Sequence, residues 1–297
     1  MYDRFAFGQD GHFFCKKEGE NLNQNWIVEN LNNAFSTWNG KLGELWGLVT
    51  TGPQTFKGGA VWSVMQTLHN GMVGIGYALV VLFFAISLCK NTMNFHELKR
   101  PEAAIHYFLR FVAAKALVGY GMDIMLNIFS ICNGIVTDMA NSMGGISEAM
   151  VSLPAEMQTA IENVGFLASI PLWLVTILGS LFITVLSFVM ILTVYGRFFR
   201  LYMYTALAPL PLAAYAGESA QSVVISYMTT YVGVCLEGAV IVLACVIYSA
   251  FVSTPTVASG EATTIVWSYL AETVFNMLVL VGLIKGSDRI IHEMMGL

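Results

Sequence analysis

Charge is what this sequence has least of. Asp, Glu, Lys and Arg make up 11% of the 297 residues, where globular domains carry about 25%. So few charges cannot cover a water-facing surface, which excludes an ordinary soluble domain. An excess of basic residues is also missing: 14 Lys and Arg stand against 19 Asp and Glu, a net charge of −5, and that argues against a basic nucleic-acid module. Cysteine motifs are absent too. Cys15, Cys89, Cys132, Cys235 and Cys245 contain no C-x-x-C pair, and four of them lie in apolar runs. They read as small buried hydrophobes, with no disulfide framework or metal site. The histidines His12, His69, His96, His106 and His292 include no i, i+4 pair of the kind that suits a zinc helix. No nucleophile–base set or phosphate loop stands out, so no catalytic, cofactor-binding or metal-binding residue is assigned and no cofactor is expected. The first 15 residues place Asp3, Arg4 and Asp10 where a signal peptide would have its apolar stretch.

What is present is hydrophobic length. The sequence is 56% hydrophobic with a mean hydropathy of +0.67, and its apolar runs reach the roughly 20 residues that a membrane-spanning helix needs. The fold class is therefore all-α integral membrane protein. About five spans are expected, at 61–89, 116–136, 172–195, 222–252 and 264–284. Together they form a polytopic domain over residues 61–297. Residues 1–60 are polar, with Trp26, Ile27, Leu31, Phe35 and Trp38 spaced as on one face of an amphipathic helix. Gly71, Gly74 and Gly76 form a small-residue patch for close helix approach. Pro171 is expected to divide the long run 164–195 into a lead-in and the crossing proper.

The stretch from Gly196 to Ser219 organises the rest. Arg197 and Arg200 end one apolar run, and Pro209 and Pro211 break the short apolar piece that follows. That piece, 201–216, is too short to span and is expected to form a re-entrant or interfacial elbow. Irregular backbone at membrane depth survives only when packed against protein or lining a wet cavity. Lys90, Lys99, Arg100, Arg110, Lys115, Lys285 and Arg289 join the two arginines on segments assigned to the inner face, while 137–163 and 253–263 carry no basic residue. The positive-inside bias then places the N-terminus outside and the C-terminus in the cytoplasm.

Three acids fall inside spans: Asp123, Glu237 and Glu272. An ionised carboxylate there is costly unless paired, protonated or wetted. Two readings stay open. The acids line a proton, cation or conduit path, or they belong to a structural polar network with Tyr, Thr, Ser or Lys115.

The run Arg197-Phe-Phe-Arg-Leu-Tyr-Met-Tyr-Thr-Ala-Leu-Ala-Pro-Leu-Pro-Leu resembles the TrbL/VirB-type polytopic inner-membrane component of type IV secretion systems, in the version found in conjugative elements of Gram-positive bacteria. The stretches 226–241 and 282–297 are similar to it as well. The resemblance implies a five-span protein of the bacterial cytoplasmic membrane, without enzymatic activity, acting as a channel or scaffold subunit in DNA or protein transfer. It implies as partners the lipid bilayer, other secretion subunits, further copies of itself in a ring, and transiently the transferred DNA. Arg197, Arg200, Pro209 and Pro211 match the family pattern, with structural roles. The other reading of the same sequence is an ion-coupled transporter or channel that uses the three acids.

Overall fold

The structure, a computed structural model, describes residues 16–92, 101–142, 150–162, 164, 166–251 and 262–296. Nine α-helices account for most of the described residues, and there is no strand among them. They are α1 (Lys16–Thr50), α2 (Ala60–Thr92), α3 (Pro101–Gly119), α4 (Gly121–Ser142), α5 (Ala155–Glu162), α6 (Phe166–Leu207), α7 (Pro209–Ala213), α8 (Gln221–Phe251) and α9 (Ala262–Met295). A 3-10 turn at Phe56–Gly59 precedes α2, and two more, Ala214–Ala216 and Glu218–Ala220, join α7 to α8. Four stretches are long and apolar enough to cross a membrane: Phe56–Lys90, Ser169–Ala216, Glu218–Ala250 and Thr264–Met295. A fifth crossing is available if the bent pair Ile105–Gly119 and Gly121–Asn141 counts as one. The protein is an all-α, multi-pass membrane protein.

The chain divides into two compact units. The first comprises Met1–Gly40, Val151–Ser187 and Ser253–Leu278. Here the amphipathic face of α1 is docked: Ile27, Leu31, Phe35 and Trp38 are buried, at the three- and four-residue spacing their sequence shows. Trp26 packs on Trp173 with ring centroids 5.8 Å apart, and the Asn30 amide donates to the Ser180 hydroxyl at 3.1 Å. Asn39 behaves like a strand partner for Val151. Its Nδ2 donates to the Val151 carbonyl at 2.8 Å and its Oδ1 accepts the Val151 N–H at 3.0 Å. A residue outside any helix thus has both backbone groups satisfied.

The second unit comprises Lys41–Met150, Phe188–Val252 and Val279–Leu297. Its core joins Val80 of α2, Val118 of α3, Met125, Phe129 and Cys132 of α4, Leu201 of α6, Leu212 of α7 and Tyr231 and Cys235 of α8. Gly76 is the small residue that matters for close approach. A Cβ there would lie 2.9 Å from Val118 Cγ1 and 3.0 Å from Pro209 Cβ, whereas Gly71 and Gly74 face open space.

Three expectations need correction. The expected span 116–136 is not one straight rod, because the helix bends by 69° between Gly119 and Gly121. Both glycines sit under close neighbours, Tyr77 Oη at 2.8 Å and Leu212 Cδ1 at 3.1 Å from where a Cβ would be, so the bend is packed around rather than frayed. Pro171 does not divide the third span, since α6 runs through it unbroken. The proline stands early in the helix, where losing one backbone donor disturbs only the first turns. Finally, α6 passes both arginines and continues to Leu207, so the elbow is narrower than 201–216. Ala208 keeps helical dihedrals (φ −50°, ψ −40°) and Pro209 opens α7 directly behind it, a first-turn position where no backbone N–H is needed; the chain turns extended at Gly217 (φ −99°, ψ 127°). Ala208, Leu212, Ala213, Ala214 and Ala216 are buried, so the proline-bearing stretch is packed against protein.

Candidate functional site

Arg197 and Arg200 stand three residues apart on α6, so their side chains leave the helix on one side. That side meets α8 and α9 within the second unit. Arg197 is 1% exposed. Its Nε and Nη2 donate to the carbonyls of Val234 (3.4 Å) and Cys235 (3.2 Å) on α8. The guanidinium fits because position 238 is glycine. A Cβ there would lie 2.6 Å from Nη1 and 2.8 Å from both Cζ and Nη2.

Arg200 is the pairing arginine. Its Nη2 donates to both oxygens of Glu237 at 2.7 Å, and its Nη1 donates to Asp288 on α9. Glu237 is 1% exposed and also accepts from the Ser287 hydroxyl at 3.2 Å. His292 stands on the outer side of Asp288, 3.7 Å from its Oδ1. Arg200 thus joins two carboxylates and ties α6, α8 and α9 together, while Arg197 caps backbone carbonyls of α8. A carboxylate this deeply buried is tolerable because its charge is paired and its oxygens are hydrogen-bonded.

The other sequence candidates have different surroundings. Asp123 is exposed on α4 and lines a hollow of about 530 Å³ with Gly52, Pro53, Gln54, Asn127, Ser130 and Asn133. Glu272 is exposed on α9, in the first unit. Of the three acids, Glu237 is the one the fold brings to an arginine. Lys115 is exposed on α3; the partners of Glu237 are Arg200 and Ser287. The basic residues assigned to the inner face also separate. Lys90 Nζ lies 3.4 Å from Ser219 Oγ, and Arg110 lies 3.9 Å from Glu218, both beside the start of α8. Lys285 and Arg289 are exposed on α9, beside the Arg200–Glu237–Asp288 group. Along α8, positions 221 and 237 are about 24 Å apart at 1.5 Å per residue. Lys99 and Arg100 lie outside the described residues.

Sequence reasoning missed Gly238, Ser287 and Asp288. Gly238 carried a faint signal, a glycine directly after a buried acid on a helix. Asp288 carried none, since it sits in a mixed-charge tail that reads as solvated. No group of three or more His, Cys, Asp or Glu side chains suited to a metal ion occurs among the described residues.

A second polar contact lies nearer the chain start. Lys41 Nζ and Glu44 Oε2 are 2.6 Å apart, and the Tyr195 hydroxyl donates to Glu44 Oε1 at 2.9 Å. The Lys41 and Tyr195 hydrogen bonds hold the Glu44 carboxyl below the usual carboxylate range, and the Glu44 hydrogen bond raises Lys41 above the usual lysine value.

No curated protein and no solved structure matches this chain. Residues 38–209 match a family model described as TrbL/VirB6 plasmid conjugal transfer like protein. The matched range takes in α2 to α6, both arginines and Pro209. It stops short of the stretches 226–241 and 282–297, where the sequence resemblance also rested. The match spans more than half of the sequence, and the chain belongs to the TrbL/VirB6 plasmid conjugal transfer-like family.

Proposed function

We propose that this chain is a non-enzymatic channel or scaffold subunit of a conjugative type IV secretion system, helping DNA or protein cross the cytoplasmic membrane. The observation that carries the proposal is the family match over residues 38–209, on a chain with four to five helices of membrane-crossing length. The geometry supports a scaffold role for the charged set. Arg200, Glu237 and Asp288 are occupied with one another and Arg197 with backbone carbonyls of α8, so their contribution is to hold three long helices together. The ion-coupled reading requires Glu237 to be available to an ion, and it is held by both nitrogen–oxygen contacts to Arg200. In this proposal several copies and other secretion subunits surround or buttress a conduit, the N-terminus is outside, the C-terminus is cytoplasmic, and transferred DNA makes only transient contact. The test is a mating assay on donor cells with this gene deleted in frame and complemented in trans. Transfer lost on deletion and restored by complementation is the expected result; undiminished transfer overturns the proposal.

A further inference from the structure

A polar stripe runs the length of α4. Asp123, Asn127, Ser130, Gly134, Asp138 and Asn141 follow one another in three- and four-residue steps, which puts them on one face of the helix, and all six are exposed. The opposite face is apolar and buried, with Met125, Phe129, Cys132, Val136 and Ala140. There the Tyr231 hydroxyl of α8 donates to the Met125 carbonyl at 2.9 Å, so α4 packs on a helix of membrane-crossing length and shares its depth. Between the two faces Ile131 and Ile135 are 69% and 47% exposed, an apolar flank suited to lipid. From Asp123 to Asn141 the stripe extends about 27 Å at 1.5 Å per residue, close to the roughly 30 Å of the hydrocarbon core. Lipid against it would strand two carboxylates, two amides and a hydroxyl. The hollow of about 530 Å³ opens on this stripe, bounded by Asp123, Asn127, Ser130 and Asn133 of α4 and by Gly52, Pro53 and Gln54. Asn133 Nδ2 donates to the Thr50 carbonyl at 3.3 Å, while its Oδ1 is buried with no hydrogen-bond partner among the described residues. A buried acceptor in the wall of a polar hollow takes its partner from water, which needs only about 30 Å³ per molecule.

We propose that this face of α4 lines a water-filled path in the membrane, open to small hydrated cations. The stripe holds two carboxylates and no basic side chain, so the potential along it draws cations and repels a polyanion such as DNA. A second copy packed stripe to stripe is the wrong occupant. It would set Asp123 and Asp138 against carboxylates of the same kind, with no cation on either stripe to pair them. The inference goes beyond the secretion-subunit reading and needs from it only the placement of α4 in the membrane.

The experiment labels the full chain in membrane vesicles, with reagent on both sides. Cys15→Ser and Cys89→Ser remove two native thiols, and Cys132, Cys235 and Cys245 are buried. In that background Asn127→Cys, Ser130→Cys and Gly134→Cys probe the stripe, and Ile131→Cys and Ile135→Cys probe the apolar flank. A Cβ at position 134 meets nothing within 4 Å, so a side chain fits there. The reagents are membrane-impermeant methanethiosulfonates, one cationic (trimethylammonium) and one anionic (sulfonate), each rate divided by its rate with a free thiol in solution. The stripe cysteines should react at least about ten-fold faster than the two flank cysteines, because the reactive thiolate forms where water reaches the sulfur. At Asn127→Cys, one turn from Asp123, the cationic reagent should outpace the anionic one, and adding Asp123→Asn should narrow the gap. Maleimide labelling after denaturation verifies that each cysteine is present. Stripe cysteines that stay protected until denaturation, equal rates on stripe and flank, or no preference for the cationic reagent overturn the proposal. So does a disulfide joining two chains through stripe cysteines, which would give this face to a second copy. If the other variants fail to fold, Ser130→Cys, which exchanges one oxygen for sulfur, decides by the same criteria. The readout is independent of DNA transfer, so it stands or falls separately from the functional proposal.

Discussion

Arg200 bridges two carboxylates, and the partners differ in exposure. Glu237 is buried, so removing Arg200 leaves it unpaired, while Asp288 can turn to water. Arg200→Ala is expected to destabilise the protein by about 3 kcal/mol, the usual result of stranding one member of a buried pair. Adding Glu237→Gln should recover most of the loss. Thermal unfolding of the purified protein in detergent measures both, and a double variant no more stable than the single one would show that the pair is not the cause. Gly238→Ala places a methyl group inside van der Waals distance of the Arg197 guanidinium. Overpacking of this kind costs about 1–3 kcal/mol, and Arg197→Met should relieve it by removing the planar head. Glu44 supplies a pH test outside the spans. Its carboxyl is depressed, so its contribution is complete above the ordinary carboxylate range and is lost as pH falls through the lower folded value. The raised Lys41 works in the opposite sense, contributing below the ordinary lysine range and fading as pH rises through its folded value. Glu44→Gln should therefore melt earlier than the natural protein at neutral pH and match it at strongly acid pH, as read by unfolding curves across the acid range.

At the scale of elements, helix approach depends on a few small residues. Gly76 lets α2 lie against both α3 and Pro209 of α7. A Gly76→Leu substitution should push these helices apart and cost more than Gly74→Leu, which meets nothing within 4 Å. Comparing the two melting temperatures separates packing from a general effect of glycine loss. The elbow is the other element-level feature. Pro209 and Pro211 remove two backbone donors where α6 gives way to α7, and Ala208 and the alanines after them are buried. Replacing both prolines by alanine should restore two backbone donors, fuse α6 with α7 and impair transfer in mating assays. Normal transfer at normal protein level would remove the elbow from the mechanism. The loss of donors in the elbow was legible because proline has none wherever it stands. Its width was not, because a first-turn proline costs a helix nothing.

For the molecule as a whole, the proposed orientation predicts that a green fluorescent protein fused after Leu297 fluoresces in cells and that alkaline phosphatase at the same place is inactive. The reverse pattern would invert the topology. Length and hydropathy, which the sequence carries directly, determined the membrane class and the all-helical fold, because a bilayer imposes one local requirement on every crossing segment. The face of α1 followed from the spacing of Ile27, Leu31, Phe35 and Trp38. The tertiary structure alone decided which charges meet. Arg200, Glu237 and Asp288 lie on three different helices, and their pairing depends on how α6, α8 and α9 rotate and slide against one another. The same is true of Arg197 in the notch at Gly238. Local periodicity reports which face of a helix is buried; it holds no record of which residue on a distant helix will stand opposite.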